Sequence, residues 1–187
     1  MTIQTCLCLI TRPADGRQAG PTAGAGGVQV LLGFKKTGFG AGRWVGVGGH
    51  VEADERPVDA AVREVAEETG LVVDPAALRH MASLDFVFPF RPSWSQVAEV
   101  FVTEDFLGEP AESDELIPQW FDIDALPLAG MWDDAKHWLP LVLTGERVQA
   151  QISFAIDCAT VARIYPDLPV LSRRADHAGF SLDAMPD

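Results

Sequence analysis

The fold is decided by residues 49–71, Gly49-His50-Val51-Glu52-Ala53-Asp54-Glu55-Arg56-Pro57-Val58-Asp59-Ala60-Ala61-Val62-Arg63-Glu64-Val65-Ala66-Glu67-Glu68-Thr69-Gly70-Leu71. The second half of this stretch predicts a helix over residues 57–69. Pro57 suits a first helical position, and Gly70 stands just past the end, where a left-handed residue closes a helix. Val58, Ala61, Val62 and Val65 recur at i, i+3, i+4 and i+7 and form one buried stripe. Glu64, Glu67 and Glu68 share the adjacent face, where like charges repel by roughly a few tenths of a kcal/mol per pair. By residue type alone this is a solvated acidic face; the functional alternative is that a cation offsets the repulsion.

The flanking residues separate these readings. From Gly49 the chain runs five residues to Glu55, then seven to Arg63-Glu64-Val65-Ala66-Glu67-Glu68-Thr69-Gly70-Leu71. Seven fixed residue types at fixed spacing, each about one in 15 by background usage, arise by chance about once in a million chains of this length. This is the Nudix box, and the chain resembles the Nudix hydrolases, which carry it on a loop-helix-loop and cleave nucleoside diphosphates linked to another moiety. The resemblance implies an α/β fold, a Nudix-type α/β/α sandwich with a mixed central sheet. It also implies that Glu64, Glu67 and Glu68, with Gly49, bind Mg2+ or Mn2+. A hard cation of this kind takes carboxylate oxygens and water and is shared with substrate phosphates. Either Glu67 or Glu68 then deprotonates or orients the attacking water. Glu55 and Arg63 complete the catalytic set as an ion pair that braces the loop. Ala60 falls between Glu64 and Glu67 by helical angle, and its small side chain is expected to leave room for a pyrophosphate.

Outward from the box, residues 6–10 and 28–32 are apolar runs of strand formers, read as neighbouring strands. Residues 13–27, rich in Gly, Pro and Ala, read as a mobile loop between them. Further strands are expected at residues 86–90, 97–103, 119–122 and 148–154, with a second helix over 133–143. The result is one Nudix domain over residues 1–155 and a C-terminal extension of unassigned role over 156–187.

A chain of 187 residues is most simply one domain. Its 48% hydrophobic and 22% charged residues exclude global disorder and supply an ordinary core. Twenty-seven acidic against fourteen basic residues leave a net charge of −13, which argues against a duplex nucleic acid partner. A small anionic nucleotide remains accessible through a bridging divalent cation. Cys6, Cys8 and Cys158 match no zinc or disulfide spacing, and a reducing cytoplasm is the expected location. The first ten residues lack a secretory layout, and no apolar run approaches the roughly 18 residues needed to cross a bilayer. A cytoplasmic protein without a membrane partner, monomeric or dimeric, is expected.

A closer similarity runs from about Thr5 to Phe154, to the oxidised purine nucleoside triphosphatases, the MutT homologues that remove 8-oxo-dGTP and 2-hydroxy-dATP from nucleotide pools. It is carried by Leu31-Leu32-Gly33-Phe34-Lys35-Lys36-Thr37-Gly38-Phe39-Gly40-Ala41-Gly42-Arg43-Trp44, by Glu112-Ser113-Asp114-Glu115, and by Met131-Trp132-Asp133-Asp134-Ala135-Lys136-His137-Trp138-Leu139-Pro140. The resemblance implies that Phe39 and Trp132 flank the base, Thr5 lines the same pocket, Lys35 lies near the triphosphate and Glu112 is an acid close to the metals. Aromatic faces stack on any base, and a short carboxyl side chain selects among base edges. By residue type alone, Trp132 equally suits a core, and Asp133 and Asp134 equally suit helix caps.

Three positions depart from the resemblance. The base-reading asparagine is Val45 here, the second of two paired acids is Ala135, leaving Asp134 in the first one's place, and the box lysine is His50. A valine cannot exchange hydrogen bonds with a base, so selectivity for one oxidised purine is expected to relax. The alternatives in substrate are a nucleotide sugar, a dinucleotide or a dinucleoside polyphosphate. Outside enzymes, the alternative is a non-catalytic nucleotide-binding regulator.

Overall fold

The computed structural model describes residues 3–14 and 27–168. Most of the loop expected at 13–27, and the part of the expected extension beyond residue 168, lie outside these residues.

Eight strands form one mixed sheet. They are β1 (Ile3–Pro13), β2 (Val28–Lys35), β3 (Trp44–Val45), β4 (Arg79–Val87), β5 (Gln96–Thr103), β6 (Leu116–Asp122), β7 (Val148–Phe154) and β8 (Val161–Tyr165). Their order is β3-β2-β1-β5-β4-β7-β8, with β6 on the other edge of β2. β1 runs parallel to β5 along Ile3 to Ile10 and turns to β2 only at Thr11 to Pro13. The two runs read as neighbouring strands therefore meet at one end, and most of β1 is given to β5.

Period-two alternation divides the core into two layers. Cys6, Cys8 and Ile10 of β1 face one side, where they cluster with Val47, Ala61, Val65 and Leu71. Leu9 faces the other, with Leu84, Val100, Trp138, Leu139 and Ile152. The first side is covered by α1 (Pro57–Thr69), the second by α2 (Ala135–Leu143). This is the expected α/β/α sandwich.

α1 has the bounds its sequence predicts. Pro57 opens it, and Gly70 closes it in the left-handed region at φ 73°, its N–H donating to the Ala66 carbonyl at 3.0 Å. The apolar stripe packs on β1, as expected. Ala60 differs from expectation: it is fully buried in the cluster beneath the helix, so its small side chain serves close packing and leaves no room for a pyrophosphate.

Other bounds shift for identifiable reasons. The strand expected at residues 86–90 is β4 at Arg79–Val87, because His80 and Ser83 face outward and hide its alternation, while Pro89 cannot continue a ladder. α2 starts at Ala135, after Asp133 and Asp134. β7 is not the last strand: β8 pairs with it antiparallel, inside the expected extension. The Val161 N–H donates to Asp133 Oδ2 at 2.9 Å, tying β8 to the start of α2.

Candidate active site

The segment before α1 is fastened to the free edge of β1. The Cys8 N–H donates to the Val47 carbonyl at 2.7 Å, the Cys6 N–H to Gly49 at 2.9 Å, and the Val51 N–H to Gln4 at 2.9 Å. Such close approach requires glycine. Gly48 has φ 152°, and a Cβ there would lie 2.1 Å from the Cys6 carbonyl oxygen. At Gly49 a Cβ would lie 2.4 Å from Glu64 Oε1, so the bare backbone forms a seat for that carboxylate.

Arg63 organises the acids around this seat. Its guanidinium forks onto Glu55, Nε to Oε1 and Nη2 to Oε2, both at 3.0 Å. Nη1 reaches Glu64 at 2.8 Å and Glu67 at 3.2 Å, and Nη2 reaches the His50 carbonyl at 3.0 Å. The hydrogen bonds from Arg63 hold the Glu55 carboxyl below its ordinary value. A planar fork of five donors makes this possible, and lysine could not reproduce it.

Glu68 is held separately. Its side chain is 4% exposed; Oε2 accepts the Gly48 N–H at 2.9 Å and Oε1 accepts Lys35 Nζ at 2.9 Å. Lys35 also donates to Glu115 at 3.0 Å. Burial pushes the Glu68 carboxyl above its ordinary value, although Lys35 and Gly48 both pull it down. Glu67, by contrast, is 60% exposed.

These groups border a cavity of about 630 Å³, lined by Lys35, Arg63, Glu64 and Glu67 and also by Phe39, Trp94, Trp132 and Asp134. The aromatic part is dense. Phe39 stacks on Trp132, and Trp94 meets both edge-on at centroid distances of 5.3 and 6.5 Å. Asp134 is buried beneath them and accepts Trp138 Nε1–H at 2.7 Å. Burial lifts its carboxyl to about 6.

The NUDIX domain model matches residues 22–142. The chain belongs to the Nudix hydrolase family. Among curated proteins it is similar to the oxidized purine nucleoside triphosphate hydrolases of Danio rerio and Mus musculus. They are 45% and 42% identical over 126 residues, 67% of this chain and 79% of each relative. Among solved structures it is similar to a MutT Nudix hydrolase from Burkholderia pseudomallei, with 28% identity, a TM-score of 0.54, and coverage of 68% of this chain and 88% of that one. A mutator MutT protein from Bacillus halodurans shares the fold at 22% identity and a TM-score of 0.66, covering 88% of this chain and 98% of that one.

Within this Nudix hydrolase, the box residues named from sequence come together around α1, and the Glu55–Arg63 pair is present. Thr5, Lys35, Phe39, Val45, Trp132 and Asp134 all line the one cavity. Phe39 and Trp132 do not stand either side of a gap, however; they stack on one another. Glu112 is not brought to the glutamates. It is exposed and pairs with Lys36 at 2.8 Å, while Ser113, Asp114 and Glu115 share a second hollow with Glu64, Glu67 and Glu68. The turn into β6 decides this, since the Lys36 N–H is bonded to the Glu115 carbonyl and presents the later residues. Asp134 makes no side-chain cap on α2. Sequence reasoning missed Trp94, Phe88, Phe154 and Gln96, all cavity-lining; Trp94 lies in a single 3-10 turn, Pro92–Trp94, without periodicity to mark it.

The donor set fits a hard divalent cation. Glu64, Glu67, Glu68 and the Gly49 carbonyl are all oxygen donors, the class such ions select. As the side chains stand, no three acid, His or Cys groups among the described residues converge on one point. Arg63 lies on Glu64 and Glu67, and Lys35 on Glu68. No helix among the described residues is long and apolar enough to cross a membrane.

Proposed function

We propose that this Nudix hydrolase splits purine nucleoside triphosphates, oxidised or otherwise modified in the base, into monophosphate and pyrophosphate, clearing them from the nucleotide pool. The observation that carries the reading is the shared cavity, in which the carboxylates of α1 and an aromatic, acid-bearing wall border one space. The similarity to oxidized purine nucleoside triphosphate hydrolases supports it.

Glu64, Glu67, Glu68 and Gly49 would hold the ion, Mg2+ or in its place Mn2+, which when bound neutralises charge on the phosphate oxygens. Arg63 fixes Glu64 and braces the loop through Glu55. Glu67, exposed and, among the described residues, bonded only to Arg63, is the carboxylate free to take a proton from water; Glu68 is already committed to Lys35 and Gly48. Water adds to phosphorus, the bridging P–O bond breaks, and pyrophosphate leaves. Trp132, Phe39 and Trp94 hold the base by stacking, and Asp134 bonds its edge. With Val45 apolar, discrimination among purines is broad. Cys6, Cys8 and Cys158, buried and free of disulfides among the described residues, support a reducing compartment, the cytoplasm, as the location.

The test is pyrophosphate release from a panel of unmodified, 8-oxo, 2-hydroxy and methylated nucleoside triphosphates and of nucleotide sugars, beside Glu67→Gln. Purine triphosphate turnover abolished by Glu67→Gln supports the reading. Turnover confined to nucleotide sugars or dinucleotides discards it, and absence of any turnover leaves a binding module.

A further inference from the structure

We propose that Gln96 is a specificity-determining residue, whose carboxamide hydrogen-bonds the substrate's heterocycle and supplies the base reading that Val45 cannot. The inference rests on the purine triphosphate reading and deepens it.

Gln96 is the first residue of β5, in register with Ile3 of β1 and Phe86 of β4. All three line the cavity, as does the buried Ala98 two residues on. Alternation along β5 puts Gln96 and Ala98 on the same face of the sheet. The side chain is half-buried in a wall otherwise built from Leu9, Leu32, Phe86, Phe88 and Phe154.

Among the described residues its carboxamide has no hydrogen-bond partner. Two other polar groups of the lining are already engaged: the Thr5 hydroxyl donates to the Val97 carbonyl at 3.3 Å, and one Asp134 oxygen accepts from Trp138. An amide cut off from water without a partner is costly, so a ligand that dries this cavity has to bond it or bind weakly. Its chemistry complements Asp134. An ionised carboxylate only accepts, whereas a carboxamide donates and accepts together at any pH. Purine edges present such adjacent pairs, the 6-amino group beside a ring nitrogen or the 6-oxo group beside a ring N–H. Apolar walls offer neither edge a hydrogen bond, whereas a carboxamide, by turning over, bonds either one and so favours purines that carry such a pair over a ring that lacks it.

The test compares wild type with Gln96→Met, of similar length but without hydrogen bonds, and Gln96→Glu, the same shape but acceptor-only. The readouts are kcat and KM separately for dATP, dGTP, their 8-oxo and 2-hydroxy forms, and a purine triphosphate lacking exocyclic groups. In Gln96→Met the preference for the best substrate over the unsubstituted purine falls roughly ten- to hundredfold, mainly through KM. In Gln96→Glu the order shifts toward edges that donate. A uniform loss across all triphosphates in both variants, with melting temperatures retained, marks a structural filler and overturns the assignment, as does an unchanged preference. If the wild type hydrolyses no purine triphosphate, the substrate reading falls, and this proposal with it.

Discussion

Phe39 and Trp132 stack face to face, with ring centroids 5.1 Å apart and planes 18° from parallel. The Arg43 guanidinium lies 4.4 Å from the Trp132 ring centroid, so Trp132 is engaged by both the ring and the cation. A base inserted between the two rings needs planes roughly 7 Å apart, twice the van der Waals contact distance. Nucleotide binding therefore has to part the stack or displace Arg43. Trp132→Ala is expected to raise KM roughly tenfold or more, the worth of one base–aromatic stack, with kcat much less affected. A KM within twofold of wild type removes Trp132 from the base site.

Arg63 joins Glu55, Glu64, Glu67 and the His50 carbonyl through one guanidinium. Arg63→Ala leaves every proposed ion-binding oxygen in the chain but frees its orientation. Loss of a group that orients ligands typically costs about 10- to 100-fold, expected here in kcat, and Arg63→Lys should recover little because it lacks the fork. Unchanged turnover in Arg63→Ala removes the bracing role.

Among the described residues Glu67 has one partner, Arg63, and its carboxylate is exposed, whereas Glu68 is buried between Lys35 and Gly48. Glu67→Gln should therefore fold normally and lose activity by about two orders of magnitude or more. Chelation should abolish wild-type turnover, with recovery on adding Mg2+ or Mn2+. Full activity after exhaustive chelation refutes the divalent-ion assignment.

Asp134 gives the protein a pH signature. Burial lifts its carboxyl from 3.8 to about 6, more than the Trp138 hydrogen bond and Arg43 lower it, and Asp133 adds to the rise. Since the folded value is the higher one, the folded protein keeps a proton that the unfolded chain has released. That contribution to stability is complete below about pH 4 and lost as pH rises through about 6. Asp134→Asn keeps an acceptor for Trp138 and cannot ionise. Between pH 4 and 7 the wild type should lose stability relative to this variant by on the order of 3 kcal/mol, read by urea denaturation. A pH-independent difference contradicts a buried, upshifted Asp134.

The sequence alone determined, with the Glu55–Arg63 pair following from the resemblance to the Nudix box, the helix over 57–69, its cap at Gly70 and the shared face of Glu64, Glu67 and Glu68. These rest on short-range geometry: 3.6 residues per turn and a glycine's left-handed φ are legible in local spacing. The apolar runs also announced a mixed sheet, because alternation and β-branched residues need no knowledge of partners. Only the tertiary structure decided that β1 spends most of its length on β5, that β8 extends the sheet, and that Ala60 is packing rather than open space. It alone turned Glu112 out to Lys36 and brought Trp94 and Gln96 to the same cavity as Asp134, which follows Gln96 by 38 residues. Pairing partners, burial and which side chain faces a hollow are set by contacts between distant segments, and those leave no periodic trace in the chain.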